Sequence, residues 1–334
     1  AGLVESRDRA KAGSGQIAMV GGEPGIGKTR ILQEFARLAR ERGALVLPGR
    51  CFEGEGAPPY FPWISALRPY VRVAPPDVLA RALGPGAAPI AEIMPEVGAR
   101  LDLAPPLRLA PAEARFRLFQ CLLDFLRNLA VSDAVVVLLD NLHWADASSL
   151  LFLEFVAPEL DELSIQIVGT YRDTELGRRH PLARALAELT KSRTFHRVLL
   201  SGLSRKEVED YLALSAGGNV PEELSRALYR ETEGNPLFMV EMTRLLADEG
   251  VILDARTATA EPVTPRIPEG VKEVIGRRLD RLSDACNEAL SWAASVGRSF
   301  HIEVLARLIQ GLDDEALLAA LEEALDAGVI EEVA

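Results

Sequence analysis

Residues 17–30 read IAMVGGEPGIGKTR, and this stretch decides what fold to expect. Gly22 to Thr29 fits the pattern G-x-x-x-x-G-K-[ST], in which a glycine-rich turn wraps around an anion. The apolar run before it predicts a buried strand, and the apolar spacing from Ile31 to Ala39 after it predicts a helix. The pattern therefore stands in the strand, loop and helix context that it requires.

The residue types of this loop suit a nucleotide triphosphate. Glycines let successive backbone N–H groups turn toward an anion, and the following helix adds the partial positive charge of its N-terminus. We expect Lys28 to reach the β- and γ-phosphates and the Thr29 hydroxyl to bind a bridging Mg²⁺ ion. A turn that merely joins strand to helix is the alternative, and the flanking pattern disfavours it. The expected nucleotide contacts are Gly22, Glu23, Pro24, Gly25, Ile26, Gly27, Lys28, Thr29 and Arg30.

A second run, VVVLLD at residues 135–140, predicts a strand that is buried on both faces and ends in an acid. Ligands of open α/β sheets bind at the carboxyl ends of the strands, so we expect Asp140 to support the Mg²⁺ ion. By itself this run could also be a buried strand that ends at an acidic turn. Its pairing with the glycine-rich loop favours the metal role.

Strand and helix patterns alternate along residues 1–202, which predicts a doubly wound α/β domain with a parallel sheet covered on both faces. The segment from about 51 to 112 is rich in Pro, Gly and Ala, and we expect it to be an insertion on that sheet. Its Tyr60, Phe61 and Trp63 are expected to anchor a small local core rather than to bind a partner. The expected strands are 17–21, 45–48, 134–140, 165–170 and 195–200.

Several short blocks, taken in order, resemble a known family. They are the loop at 22–30, GRC at 49–51 followed by PY at 59–60 and PW at 62–63, LHWAD at 142–146, GTYRDTE at 169–175 and EGNPLF at 233–238. Their order and spacing are similar to those of the AAA+-related signal-transduction ATPases with numerous domains, the STAND class, found in large LuxR-type regulators and in some multidomain cyclases and kinases. The resemblance covers nearly the whole chain, and it implies ATP and ADP as ligands, with Mg²⁺.

The resemblance also implies roles for individual positions. Lys28 and Thr29 match the phosphate and Mg²⁺ ligands, and Asp140 matches the acid that supports the metal. Arg172 matches a sensor arginine that detects the γ-phosphate, a role that suits its fixed charge and forked donors. Pro236 matches the proline of a lid domain that packs on the nucleotide.

One position departs from the family pattern. The residue after Asp140 is often acidic in this class, but here it is Asn141, whose amide can position water but cannot accept its proton. His143 and Asp146 are alternative water-activating residues, and for His143 a turn residue bonded to backbone is an equal alternative. We therefore expect slow hydrolysis. The expected catalytic set is Lys28, Asp140, Asn141 and Arg172.

The second half of the chain reads as helical. We expect a small helical lid at 203–253, which begins with a capping box of Ser204 and Glu207. Residues 254–268, rich in Thr, Ala and Pro, are expected to be a linker. Helical patterns from 269 to 334 resemble the winged-helix domain that follows the lid in this class, and we expect that domain to be only partial here.

Composition limits the possible partners. At 334 residues the chain is long enough for more than one core. A net charge of −12 with scattered arginines argues against direct nucleic-acid binding, and no apolar stretch reaches the ~18 residues that span a membrane. Three cysteines without zinc or disulfide spacing are typical of the reducing cytoplasm. Because the chain begins with Ala1, we expect a processed or excised fragment.

Together these patterns predict a nucleotide-controlled switch. ADP would hold the lid and winged-helix regions closed, and ATP would release them, so that further domains could self-associate or contact protein partners. A non-hydrolysing interaction module that keeps ATP as a structural ligand is the second interpretation. A ring-forming motor is less favoured, because it needs an acidic water-positioning residue and an arginine finger from a neighbouring subunit.

Overall fold

The computed structural model describes two compact units, residues 1–201 and residues 202–334. The whole of the expected linker at 254–268 lies outside the described residues, as does most of the start of the expected winged-helix region, 269–281. The described ranges are 13–52, 57–103, 110–177, 179–216, 220–248, 282–297, 300–309 and 313–327, with the single positions 3, 10, 218, 279, 329, 330 and 332.

The first unit is built on a five-stranded sheet in the order β2-β3-β4-β1-β5, and every neighbouring pair is parallel. This architecture confirms the predicted α/β fold, and the predicted strands differ from the observed ones by one or two residues at their ends. The strands are β1 (Gln16–Gly21), β2 (Leu45–Arg50), β3 (Val135–Asp140), β4 (Ile165–Tyr171) and β5 (Phe195–Leu199).

Position in the sheet explains the strand sequences. The three inner strands, β1, β3 and β4, are buried at every residue, whereas the edge strands β2 and β5 are partly exposed. A parallel strand that is covered on both faces needs apolar side chains on both sides, so its sequence is a nearly continuous apolar run. The glycine-rich loop therefore follows the inner strand β1, and Asp140 ends the inner strand β3, with β4 between these two strands.

Helices cover both faces of this sheet. The helix after the glycine-rich loop, α1, packs through Leu32, Phe35 and Ala39 on one face, and the other described helices of the first unit pack on the opposite face. The helices are α1 (Lys28–Glu41), α2 (Phe61–Val73), α3 (Pro76–Leu83), α4 (Ala87–Ile93), α5 (Pro95–Leu101), α6 (Pro111–Leu129), α7 (Ala147–Val156) and α8 (Pro181–Leu189).

The segment expected as an insertion contributes to the main core. Trp63 is buried, donates from Nε1 to the Ser149 carbonyl at 3.1 Å, and meets the Phe152 ring edge-on with 4.7 Å between centroids. Tyr60 packs edge-on against Phe119, 6.0 Å away. The expectation of a separate local core is therefore wrong, because α2 lies against β2 and α7 and carries these rings into the core beneath the sheet.

The described residues of the second unit form two groups of helices, each around its own apolar cluster. The capping box is confirmed, since the Ser204 N–H donates to Glu207 Oε2 at 2.7 Å and the Glu207 N–H donates to Ser204 Oγ at 3.3 Å. The helices are α9 (Arg205–Ala216), α10 (Glu222–Thr232) and α11 (Pro236–Asp248), then α12 (Asp284–Val296), α13 (Ile302–Leu308) and α14 (Asp314–Asp326). No helix in the described part of the chain combines the length and apolar character needed to cross a membrane.

Candidate functional site

The glycine-rich loop joins the carboxyl end of β1 to the first turn of α1. Gly25 and Gly27 have φ values of 79° and 97°, in the left-handed region that glycine adopts without steric cost. Gly27 is the N-cap of α1 and has no side chain with which to cap the helix. A phosphate group at this end would satisfy the N–H groups of the first helical turn and interact with the helix dipole. The loop therefore fits the phosphates of a nucleotide.

Lys28 lies back across the loop with its ammonium group near the loop backbone. Its Nζ donates to the carbonyl oxygens of Gly22 and Glu23, both at 2.7 Å, and the residue is 8% exposed. Burial lowers the pKa of Lys28, and the positive charge of Arg172 lowers it further. A cation is thus held at the mouth of the loop, where a β- or γ-phosphate would bind.

Asp140 ends β3 at the same edge of the sheet, and two threonines hold its carboxylate. Its Oδ2 accepts a hydrogen bond from Thr29 Oγ1 at 3.2 Å, and its Oδ1 accepts one from Thr170 Oγ1. The Thr170 oxygen itself accepts from the Asn141 N–H at 3.0 Å, so its single proton is committed to Asp140. The carboxylate is therefore fixed between the loop and the neighbouring strand β4.

The contact between Thr29 and Asp140 brings together the two residues expected to support Mg²⁺. Both offer hard oxygen atoms, and Mg²⁺ usually takes few protein ligands and completes its octahedron with water and phosphate oxygens. A hydroxyl and a carboxylate beside a phosphate-binding loop suit that chemistry. The donor set therefore fits the metal implied by the resemblance.

Asn141 turns the chain as it leaves β3. Its φ and ψ of 62° and 44° are left-handed, a conformation that asparagine tolerates better than most residues. The short 3₁₀ turn Leu142–Trp144 follows and leads into α7. The position after Asp140 thus contributes a turn and an amide group rather than a carboxylate.

Asp146, an alternative water-activating residue in the sequence, has a structural role instead. Its carboxylate caps α7 by accepting from the Ser149 N–H at 3.0 Å and from Ser149 Oγ at 2.5 Å. It also accepts from the Tyr60 N–H at 3.2 Å, which ties the start of α2 to this helix. These three bonds commit Asp146 to the fold, and they argue against its acting as a base.

His143 is buried beside the site, at 6% exposure. Neither ring nitrogen has a hydrogen-bond partner within the described residues, which contradicts the alternative of a ring bonded to backbone. Burial lowers the pKa of His143 to about 4, which keeps the imidazole neutral at pH 7. Its Nε2 lies 3.6 Å from Oε2 of Glu175.

Arg172 follows β4 and interacts electrostatically with Lys28 and His143. Its Nη1 is 2.6 Å from Oε1 of Glu175, and its charge lowers the pKa values of both Lys28 and His143. Since β4 lies between β1 and β3, the end of β4 reaches the space between the loop and Asp140. The four residues expected to form the catalytic set therefore come from one edge of one sheet.

Residues 3–168 match the family model described as AAA ATPase domain. The glycine-rich loop, Lys28, Thr29 and Asp140 all lie within that match. The chain is an AAA+-related P-loop protein. Arg172 falls just beyond the matched segment, on the strand end that completes the site.

Relatives of this AAA+-related protein are longer than it is. An uncharacterized protein of Rhizobium meliloti (strain 1021) is 25% identical over 343 residues, covering 97% of this chain and 31% of its own length. The STAND protein with a tetratricopeptide repeat sensor from Pyrococcus horikoshii is 14% identical, covering 98% of this chain and 39% of its own, with a TM-score of 0.49. Cdc6p from Pyrobaculum aerophilum is 13% identical, covering 97% and 83%, with a TM-score of 0.41. The chain spans less than half of the first two proteins.

Pro236 belongs to the second unit of the AAA+-related chain, where it begins α11. The Asn235 side chain accepts from the Leu237 N–H at 3.1 Å, and the Gly234 carbonyl accepts from the Leu203 N–H at 2.7 Å. Gly234 has a φ of 74°, and a Cβ there would come within 2.0 Å of the Leu203 oxygen, so only glycine fits. The block at 233–238 is thus a tightly packed helix start, and a nucleotide contact by Pro236 stays a prediction.

Two residues of the P-loop site carried no prediction from the sequence. Thr170 and Glu175 lie in the GTYRDTE block, but their partners Asp140 and Arg172 are set by strand order and by the turn after β4. A polar residue inside a buried strand was the only signal for Thr170. For Glu175 the signal was its spacing of three residues from Arg172.

Proposed function

We propose that this chain is a nucleotide-controlled switch of the STAND class, which binds ATP and ADP together with Mg²⁺. ADP holds the lid and C-terminal helices in a closed state, and exchange for ATP releases them for self-association or contact with protein partners. The observation that supports this most is the link from Thr29 to Asp140, 3.2 Å long, beside Lys28 in the glycine-rich loop. It joins the phosphate-binding residues to the acid on which a P-loop metal depends.

The site residues have distinct roles toward the nucleotide and its metal. Lys28 exchanges its two carbonyl partners for β- and γ-phosphate oxygens, and Thr29 and Asp140 hold the Mg²⁺ ion. The metal, when bound, neutralises negative charge on the phosphates. Thr170 keeps the Asp140 carboxylate oriented toward Thr29, and Arg172 detects the γ-phosphate. Pro236 in the lid reports which nucleotide is bound.

Hydrolysis resets the switch and is slow. Asn141 orients the attacking water but cannot take its proton, so the general-base contribution of roughly 10²–10⁴ in rate is missing. Slow turnover suits a switch, because the ATP state must last long enough to signal. A ring-forming motor, which needs rapid turnover, is disfavoured for the same reason.

A second function, a non-hydrolysing interaction module with structural ATP, is favoured by the same amide. The two are separated by denaturing freshly purified protein, identifying the released nucleotide by chromatography, and following exchange and turnover with Mg-ATP. Retained ADP with slow exchange and slow hydrolysis supports the switch, whereas bound ATP that stays intact supports the module. Failure to bind either nucleotide contradicts both.

Substitutions of Asn141 test whether its amide makes hydrolysis slow. Asn141→Asp restores an acid at a position whose left-handed backbone aspartate tolerates, so hydrolysis should accelerate by about tenfold or more. Asn141→Gly is the matched control, because it keeps the backbone conformation and supplies no base. Equal rates for both variants would remove position 141 from the mechanism.

A further inference from the structure

The two cations of the site have protein partners of different charge. Lys28 donates to the neutral carbonyl oxygens of Gly22 and Glu23, at 2.7 Å each. Arg172 contacts the carboxylate of Glu175 at 2.6 Å. A phosphate that binds Lys28 therefore replaces neutral acceptors, whereas a phosphate that binds Arg172 has to compete with a full negative charge.

The pair of Arg172 and Glu175 is held in place by its surroundings. Glu175 closes a 3₁₀ turn, Asp173–Glu175, in which the Leu176 N–H donates to the Asp173 carbonyl at 3.2 Å. Its second carboxylate oxygen lies 3.6 Å from Nε2 of the buried His143. The side chains of Arg172 and Glu175 are only 14% and 37% exposed, so water and salt screen the pair less than a fully exposed one.

This difference between the partners of Lys28 and Arg172 affects the binding of ATP and ADP unequally. The β-phosphate, which ADP and ATP share, contacts the loop and Lys28. Only ATP carries the γ-phosphate, which the proposed function places against Lys28 and Arg172. We infer that Glu175 is a specificity-determining residue, which disfavours ATP relative to ADP by holding Arg172 in a carboxylate pair. The inference rests on the proposed function. It makes the nucleotide preference of the switch depend on the pair of Arg172 and Glu175.

Binding measurements on the full 334-residue chain test this directly. Affinities for Mg-ADP and for the non-hydrolysed analogue Mg-AMPPNP are measured by calorimetry for the unaltered protein, Glu175→Gln, Arg172→Gln and the double variant. Glu188→Gln is the matched control, because Glu188 also pairs at 2.6 Å with a cation three residues away, Lys191, outside the site. Thermal unfolding of each variant confirms that it is folded.

We expect Glu175→Gln to raise AMPPNP affinity by about tenfold, because the γ-phosphate then no longer competes with a charged carboxylate for Arg172. ADP affinity should change by less than about twofold, because ADP has no γ-phosphate. Arg172→Gln should lower the affinity for AMPPNP and spare that for ADP, and adding Glu175→Gln to it should change neither affinity further. Glu188→Gln should leave both affinities unchanged. This pattern assigns the effect to the pair rather than to a general loss of negative charge.

Other results overturn the inference in distinguishable ways. An equal gain for both nucleotides in Glu175→Gln, or the same gain when Arg172 is absent, shows a general electrostatic effect and refutes the pairing. No gain in Glu175→Gln, combined with lost discrimination in Arg172→Gln, refutes the role of Glu175 and leaves the sensor intact. Unchanged affinities in Arg172→Gln would refute the sensor role on which the proposed function depends.

Discussion

Thr170→Val removes one hydroxyl group and keeps the shape of the side chain. Thr170 is fully buried on β4, and its hydroxyl makes two bonds, one accepted from the Asn141 N–H and one donated to Asp140. Valine leaves the N–H without that acceptor and the carboxylate without that donor. The substitution thus tests whether a residue that touches no nucleotide in the proposed mechanism orients the acid that supports the metal.

The structure sets the size of the effect. A buried N–H that loses its partner costs about 1–3 kcal/mol, and a hydrogen bond to a charged group contributes about 1.5–3 kcal/mol. Because both losses stem from one group and do not simply add, we expect the free energy of unfolding to fall by about 3 kcal/mol. Losing a residue that orients a metal ligand typically weakens metal binding by about 10–100-fold, so affinity for Mg-nucleotide should fall by at least about tenfold.

Thr170→Ser is the matched control, because it keeps the hydroxyl and loses one buried methyl group, at a cost of about 1 kcal/mol. Denaturant unfolding followed by tryptophan fluorescence gives the stability of each variant, and calorimetry with and without Mg²⁺ gives nucleotide affinity. The reasoning is refuted if the valine and serine variants are equally stable and bind Mg-nucleotide equally well. Loss of affinity that is the same without Mg²⁺ would contradict the link to the metal.

Three further predictions concern neighbouring residues. Lys28→Ala should abolish nucleotide binding in calorimetry, because no other side chain in the described loop carries the ammonium that meets the phosphates; unchanged affinity would remove Lys28 from the site. His143 has a folded pKa of about 4 against an ordinary value of 6.5, so the unfolded chain binds more protons between these values. The free energy of unfolding should therefore be highest above about pH 6.5 and fall by up to about 3 kcal/mol as pH drops toward 4. In His143→Phe, measured by unfolding at a series of pH values, this dependence on pH should disappear. Asp146→Ala should lower the free energy of unfolding by about 1–2 kcal/mol through the lost helix cap, with the hydrolysis rate per folded molecule retained; a lost rate would restore Asp146 as a candidate base.

Much of the fold of this protein can be predicted from local sequence patterns. The sequences of β1, β3 and β4 are mostly apolar because both faces of a central parallel strand are covered, so their sequence alone predicts burial and strand type. The glycine-rich loop is equally local, since Gly25 and Gly27 adopt backbone conformations that follow from their lack of a side chain. The strands, the α/β class and the loop could therefore be predicted without coordinates.

Contacts across the sheet could not be predicted in this way. Sequence spacing does not reveal that β4 lies between β1 and β3. This strand order places Thr170 against Asp140 and brings Arg172 close enough to Lys28 to lower its pKa. The Trp63 ring lies in the main core because it bonds to Ser149, which is distant in the chain. Asp146 caps a helix because the turn before that helix places its carboxylate at the Ser149 N–H. Local structure can be predicted from the sequence because it depends on neighbouring residues. The electrostatic partners within a site depend on long-range packing, which only the folded chain decides.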